Sequence, residues 1–156
     1  IDMRGYGGST KTEAGKRIRP DRKAGRDIAA AIAFLSSHPS ADGSRIGIVG
    51  ASYGASNAII YAARDANVRA VALLSPGLNY FNELPTRGAV KSYGSRPLYA
   101  VASSEDVRSV ETVKEYRTLA PQMESRIVEN AGHGTDIFAA GVGLTAELRT
   151  FLKKNL

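Results

Sequence analysis

Residues 45–54 read Arg-Ile-Gly-Ile-Val-Gly-Ala-Ser-Tyr-Gly, and the organisation of the chain follows from this stretch outward. Its first half, Arg45 to Val49, is a short apolar, β-branched run bounded by Gly43 and Gly50, the composition of a strand buried on both faces. The second half, Gly50-Ala51-Ser52-Tyr53-Gly54, fits G-x-S-x-G and leads into a helix expected from about Tyr53 to Arg64. A strand that turns sharply into a helix leaves the serine hydroxyl at the C-terminal edge of a sheet. The glycines two residues before and after it let strand and helix approach closely, and the adjacent helix N-terminus favours developing negative charge.

Strand-like and helix-like runs continue on both sides. Toward the C-terminus they are a strand Val68 to Leu74, a strand Pro97 to Ala102, a helix from about Ser109 to Leu119, a strand Glu124 to Glu129 and one closing helix from about Thr135 to Lys154. Residues 75–96 contain Pro76, Gly77, Pro85, Gly88 and Gly94 without a period and read as a long loop with a helical turn; loops of that length are often functional. Toward the N-terminus, Ile28, Ile32 and Leu35 recur at helical spacing among alanines. That helix ends near Ser37, because His38 precedes Pro39 and is pushed out of helical geometry. Ile1 to Met3 reads as a last short strand, followed by the loop Arg4-Gly5-Tyr6-Gly7-Gly8. The expected architecture is a three-layer α/β fold: roughly five parallel strands, with right-handed crossovers that place helices on both faces.

The chain has 156 residues, of which 43% are hydrophobic and 23% charged, as expected for one domain spanning residues 1–156. No apolar run approaches the roughly 18 residues of a membrane-spanning helix. Without cysteine there is neither a disulfide framework nor a Cys-based zinc site, and the two histidines stand too far apart to suggest a metal cluster. No signal-peptide pattern precedes the Gly-rich turn, and the lack of cysteine leaves the compartment open. Twenty-one Lys and Arg against fifteen Asp and Glu give +6. The excess is concentrated in residues 1–26, which hold eight basic and three acidic side chains, a net of +5. No aromatic residue lies between residues 7 and 33, so the Lys11 to Arg26 stretch reads as a solvated loop and helix start, not a nucleic-acid surface. Gly141-Val142-Gly143-Leu144-Thr145-Ala146 fits G-x-G-x-x-A, but no strand directly precedes it. Gly15-Lys16 lacks the upstream glycine of a phosphate loop.

A serine hydroxyl needs a neighbouring base before it can act as a nucleophile. His38 lies in Ser-Ser-His-Pro-Ser, a capping context, whereas His133 lies in Ala131-Gly132-His133-Gly134, directly after the last strand and at the same sheet edge as Ser52. The imidazole in turn needs a carboxylate. The strand Pro97 to Ala102 runs into Ser103-Ser104-Glu105-Asp106, where Asp106 has the usual loop offset and Glu105 is the alternative.

The order Ser52, Asp106, His133, with Asp2-Met3-Arg4-Gly5-Tyr6-Gly7 upstream, resembles the C-terminal two-thirds of an α/β-hydrolase, closest to its dienelactone-hydrolase-like and prolyl-oligopeptidase-like branches. The resemblance implies hydrolysis of a carboxylic ester through an acyl-enzyme, with no metal or organic cofactor. Ser52 is then the nucleophile, His133 the base, Asp106 its partner, and the Tyr53 amide one oxyanion donor within the Gly50 to Gly54 elbow. A peptidase or amidase with the same residues, or a catalytically silent binding or assembly module, are the alternatives. The family's first three strands, and the loop giving the second oxyanion donor, are not in this sequence. The expectation is therefore an N-terminally truncated domain, completed by a missing N-terminal segment or by a partner copy. Tyr80, Phe81 and Tyr93, in the loop 75–96, are candidates to line the acyl pocket of a small-molecule ester or peptide substrate.

Overall fold

Four apolar runs pair into one parallel sheet: β1 (Ile46–Ala51), β2 (Val68–Leu74), β5 (Leu98–Ser103) and β6 (Glu124–Val128), in the order β1-β2-β5-β6. The computed structural model describes residues 1–19 and 22–156, which gather into two units, Ile1–Gly43 and Ser44–Leu156. The sheet belongs to the second unit, with α2 (Tyr53–Ala62), the two-residue strands β3 (Asn79–Tyr80) and β4 (Leu84–Pro85), α3 (Arg87–Tyr93), α4 (Val107–Leu119), α5 (Asp136–Ala139) and α6 (Leu144–Asn155).

Alternation along the strands sorts side chains to two faces. Ala70, Ala72 and Leu74 of β2, Tyr99 and Val101 of β5 and Val128 of β6 meet Ile137 of α5 and Leu144, Leu148 and Phe151 of α6 in one buried cluster. The intervening Val71, Leu73, Ala100 and Ala102 are also buried and point to the opposite face, where α2 lies on β1 and β2 and α4 on β5. The register carries Ala51 beside Leu74, Leu74 beside Val101, and Ser103 beside Val128. The segments that follow β1, β2, β5 and β6 therefore leave from one edge.

Three expectations are corrected. Ile1 to Met3 forms no strand: the Asp2 carboxylate accepts the Gly8 amide at 2.8 Å and its carbonyl accepts the Ser9 hydroxyl at 3.0 Å, which folds the segment into a turn. Among the described residues the parallel sheet thus has four strands. The closing helix is broken into α5 and α6, because Gly141 and Gly143 both adopt positive φ (70° and 78°). The 75–96 stretch folds into the β3–β4 hairpin and α3, closed underneath by a buried knot in which the Tyr116 hydroxyl of α4 donates to Thr86 Oγ1 at 2.6 Å. Tyr93 is 2% exposed and carries Arg96 stacked 4.0 Å from its ring centre, so it is a core residue. Burial pushes its phenol up to about 12. That guanidinium also donates to the carbonyls of Ala62, Asp65 and Val68 at 2.8–2.9 Å, satisfying the end of α2 and the turn into β2.

In the first unit, α1 (Gly25–Ser37) is held by Arg4, whose Nε donates to Asp27 Oδ1 at 2.8 Å and whose amide donates to Oδ2 at 3.0 Å. The Arg4 guanidinium keeps the Asp27 carboxyl below its ordinary value. His38 caps α1, with its ring 5.4 Å from that of Phe34 and its Nδ1 accepting the Ser40 amide. Lys11 and Arg17 form an antiparallel bridge around the Gly15 turn; Pro20 and Asp21, within the same basic stretch, lie outside the described residues.

Candidate active site

Ser52 sits between β1 and α2 with φ 56° and ψ −127°, a conformation that an L-residue adopts only when its surroundings hold it there. Those surroundings are visible. The Ser52 amide donates to the Leu74 carbonyl at 2.8 Å, and its own carbonyl accepts the Ala55 amide at 2.9 Å. Gly50 is buried against the helix: a Cβ there would lie 2.5 Å from the Gly54 carbonyl oxygen and 2.9 Å from Ala55 Cα. A Cβ on Gly54 would meet nothing within 4 Å, so of the two motif glycines only Gly50 answers a steric demand. Tyr53 opens α2, and its amide belongs to the turn where the helix dipole is positive.

His133 reaches Ser52 from the loop after β6. Its Nε2 is 2.8 Å from Ser52 Oγ and its Nδ1 is 2.7 Å from Asp106 Oδ2. The carboxylate can only accept, so the contact with Asp106 selects the tautomer with Nδ1–H and leaves Nε2 as an acceptor toward the serine hydroxyl. Asp106 caps α4 through the Ser109 amide. Burial pushes its pKa upward, but the hydrogen bonds from Ser109 and His133 outweigh it and leave the carboxyl below its ordinary 3.8. The Asp106 side chain is 16% exposed and that of His133 46%, so the arrangement is shielded on the acid side and open at the imidazole. Glu105, the alternative acid, accepts the Gly132 amide at 2.7 Å and the Ser103 hydroxyl, whereas the His133 ring is bonded to Asp106.

One participant was not legible in advance. Ser75, buried at the end of β2 with φ 47°, accepts the Gly134 amide on its Oγ at 2.8 Å, and its carbonyl accepts the Tyr80 hydroxyl at 3.1 Å. Its only sequence signal is a serine closing an apolar strand just before Pro76-Gly77. Through Tyr80 it anchors the hairpin whose tip, Phe81, is 49% exposed and has its ring 6.1 Å from that of Tyr53. Of the three aromatic candidates, Tyr80 is therefore an anchor, Tyr93 is core, and Phe81 stands beside the residue after Ser52.

The model of the dienelactone hydrolase family matches residues 9–139. Among curated proteins no relative matches the chain. Among solved structures the chain is similar to a dienelactone hydrolase from Anabaena variabilis (18% identity, TM-score 0.62, covering 83% of this chain and 57% of that one). It is also similar to an esterase from Pyrococcus furiosus (19%, TM-score 0.68, 90% and 65%) and to dipeptidyl peptidase 4 from Porphyromonas gingivalis (17%, TM-score 0.65, 85% and 22%). At these identities the likeness is one of fold, and the chain spans less than two-thirds of each of those structures.

Proposed function

This chain belongs to the dienelactone hydrolase family, and from that premise we propose that it is a serine hydrolase cleaving carboxylic esters through an acyl-enzyme. The observation that carries the reading is the relay from Ser52 Oγ to His133 Nε2 at 2.8 Å and from Nδ1 to Asp106 Oδ2 at 2.7 Å, assembled from three loops at one sheet edge.

In this reading Ser52 Oγ attacks the ester carbonyl carbon while its proton passes to His133 Nε2. Asp106 stabilises the resulting imidazolium without taking the proton. The carbonyl oxygen becomes an oxyanion, supported by the Tyr53 amide and the N-terminal dipole of α2. Collapse of the tetrahedral intermediate breaks the bond to the leaving alkoxide, which takes the proton from Nε2. Water, deprotonated by the same nitrogen, then attacks the acyl-enzyme and releases the acid, restoring Ser52 and His133. The family supports an ester over an amide, since a dienelactone is itself a cyclic ester. The relay is equally suited to either leaving group.

Wild type and Ser52→Ala, assayed in parallel on a short-chain nitrophenyl ester and a peptide anilide, test the reading. Ester turnover that disappears in S52A is expected. Anilide cleavage in its place would make the protein a peptidase, and no turnover by a folded wild type would overturn the enzymatic reading.

A further inference from the structure

The loop that presents His133 has little to fix its shape from within. Gly132 and Gly134 flank the histidine with φ of 79° and 61°, and Asn130 is also left-handed at 47°. Glycine restrains its backbone less than any other residue, so the position of the imidazole depends on outside contacts. Four of the five amides from 130 to 134 donate to side chains outside the loop, at or just after the ends of β2 and β5. The Asn130 amide donates to Ser104 Oγ (3.3 Å), Ala131 to Ser103 Oγ (2.7 Å), Gly132 to Glu105 Oε1 (2.7 Å) and Gly134 to Ser75 Oγ (2.8 Å).

Three of these acceptors are consecutive, and they directly precede Asp106. Glu105 ties them together. One carboxylate oxygen takes the Gly132 amide, and the other takes the hydroxyl proton of Ser103, whose oxygen is thereby turned to accept the Ala131 amide. Those two bonds, Ser103 first and Gly132 second, hold the Glu105 carboxyl below its ordinary 4.5, in the ionised form that accepts on both oxygens. A carboxylate in this position would ordinarily be a solvated charge complementing the dipole of α4. Here one of its oxygens binds the histidine loop directly and the other reaches it through Ser103.

We propose that Glu105 is a positioning residue: together with Ser103 it fixes the Ala131 and Gly132 amides, so that the His133 ring spans Ser52 and Asp106 from one segment of chain. Asp106 holds the ring, and Glu105 holds the backbone that carries it. The inference rests on the roles given above to Ser52, His133 and Asp106. Misplacement of a catalytic group by about 1 Å can cost on the order of a hundredfold in rate.

The test compares Glu105→Ala and Glu105→Gln with wild type, by ester kinetics and by amide hydrogen exchange of Gly132 in NMR spectra. Glu105 is exposed, so both variants are expected to fold. In E105A, kcat falls at least about tenfold with KM within about twofold, and the Gly132 amide exchanges at least about tenfold faster. In E105Q the amide oxygen still accepts from Gly132 and the NH2 donates to Ser103 Oγ, so both readouts return to within about threefold of wild type. A smaller loss of kcat in E105A, a Gly132 amide that exchanges at the wild-type rate, or an E105Q variant as impaired as E105A overturns the inference. If wild type hydrolyses no ester, the functional reading fails separately and the Gly132 exchange rate alone decides this one.

Discussion

Gly50→Ala and Gly54→Ala are the same substitution at the two glycines of one motif, and the structure separates them. An added Cβ at Gly50 would stand 2.5 Å from the Gly54 carbonyl oxygen and 2.8 Å from its carbon, where ordinary contact begins at 3.4 Å. The obstacle is backbone, so no rotamer change relieves it, and α2 must withdraw from β1 by about 0.9 Å. Overpacking of this kind costs about 1–3 kcal/mol, and an unyielding backbone places it near 3. At about 2–4 °C per kcal/mol for a chain of this size, Tm should fall by about 6–12 °C. The same withdrawal carries Ser52 away from His133, so labelling by a fluorophosphonate should slow by up to about a hundredfold. At Gly54 the new methyl meets nothing and replaces a helix-weakening residue inside α2, a gain of up to about 1 kcal/mol, so Tm should rise by about 1–4 °C. Thermal melts followed by circular dichroism read both variants. Equal losses in the two, or a G50A melt indistinguishable from wild type, would refute the argument that α2 is pressed against β1 at Gly50.

Other perturbations follow from the same geometry. Asp106→Asn should retain the fold but offer the wrong hydrogen-bonding partner to His133 Nδ1, lowering kcat by about 10⁴ in steady-state ester assays; a loss under about tenfold would remove Asp106 from the relay. Because the Asp106 carboxyl lies below its ordinary 3.8, its contribution to stability is complete above that value and is lost as pH falls through the lower, folded-state value. The Tm advantage of wild type over D106N should therefore hold between about pH 7 and 5 and shrink only below about 4; a difference that vanishes near pH 6 contradicts this. Arg96→Lys should cost about 2 kcal/mol, seen as a Tm lower by about 4–8 °C, because an ammonium cannot serve the carbonyls of Ala62, Asp65 and Val68 while stacking on Tyr93. A change under 1 °C would contradict it.

What was legible in the sequence was local. The run Ile46 to Val49 and the turn Gly50 to Gly54 declare a strand, a bend and a helix within ten residues, and each later strand carries its own β-branched signal. The order of Ser52, Asp106 and His133 along these strands pointed to one edge before any register was known. The parts that were not legible depend on residues far apart in the chain. Ser75 and Ser103 look like ordinary strand ends until the register sets them beside the loop 130–134. Glu105 and Asp106 offer the same chemistry one position apart, and only the direction each side chain takes distinguishes their contacts. Tyr93 and Phe81 are both aromatic residues in a Gly- and Pro-punctuated stretch. One is buried beneath Arg96 and the other exposed beside Tyr53, a difference set by the fold of the hairpin and α3. The break between α5 and α6 was written in Gly141 and Gly143, but two glycines in an otherwise helical pattern do not announce that both turn left-handed.

The most direct test of the account is the mass of the protein after exposure to a fluorophosphonate, which phosphonylates only a serine activated by a neighbouring base. We predict one adduct per chain, mapped by peptide sequencing to Ser52, absent in Ser52→Ala and slowed by at least about a hundredfold in His133→Ala. A folded wild type that stays unmodified, or an adduct on any other residue, would contradict the claim that Ser52, His133 and Asp106 form a working relay.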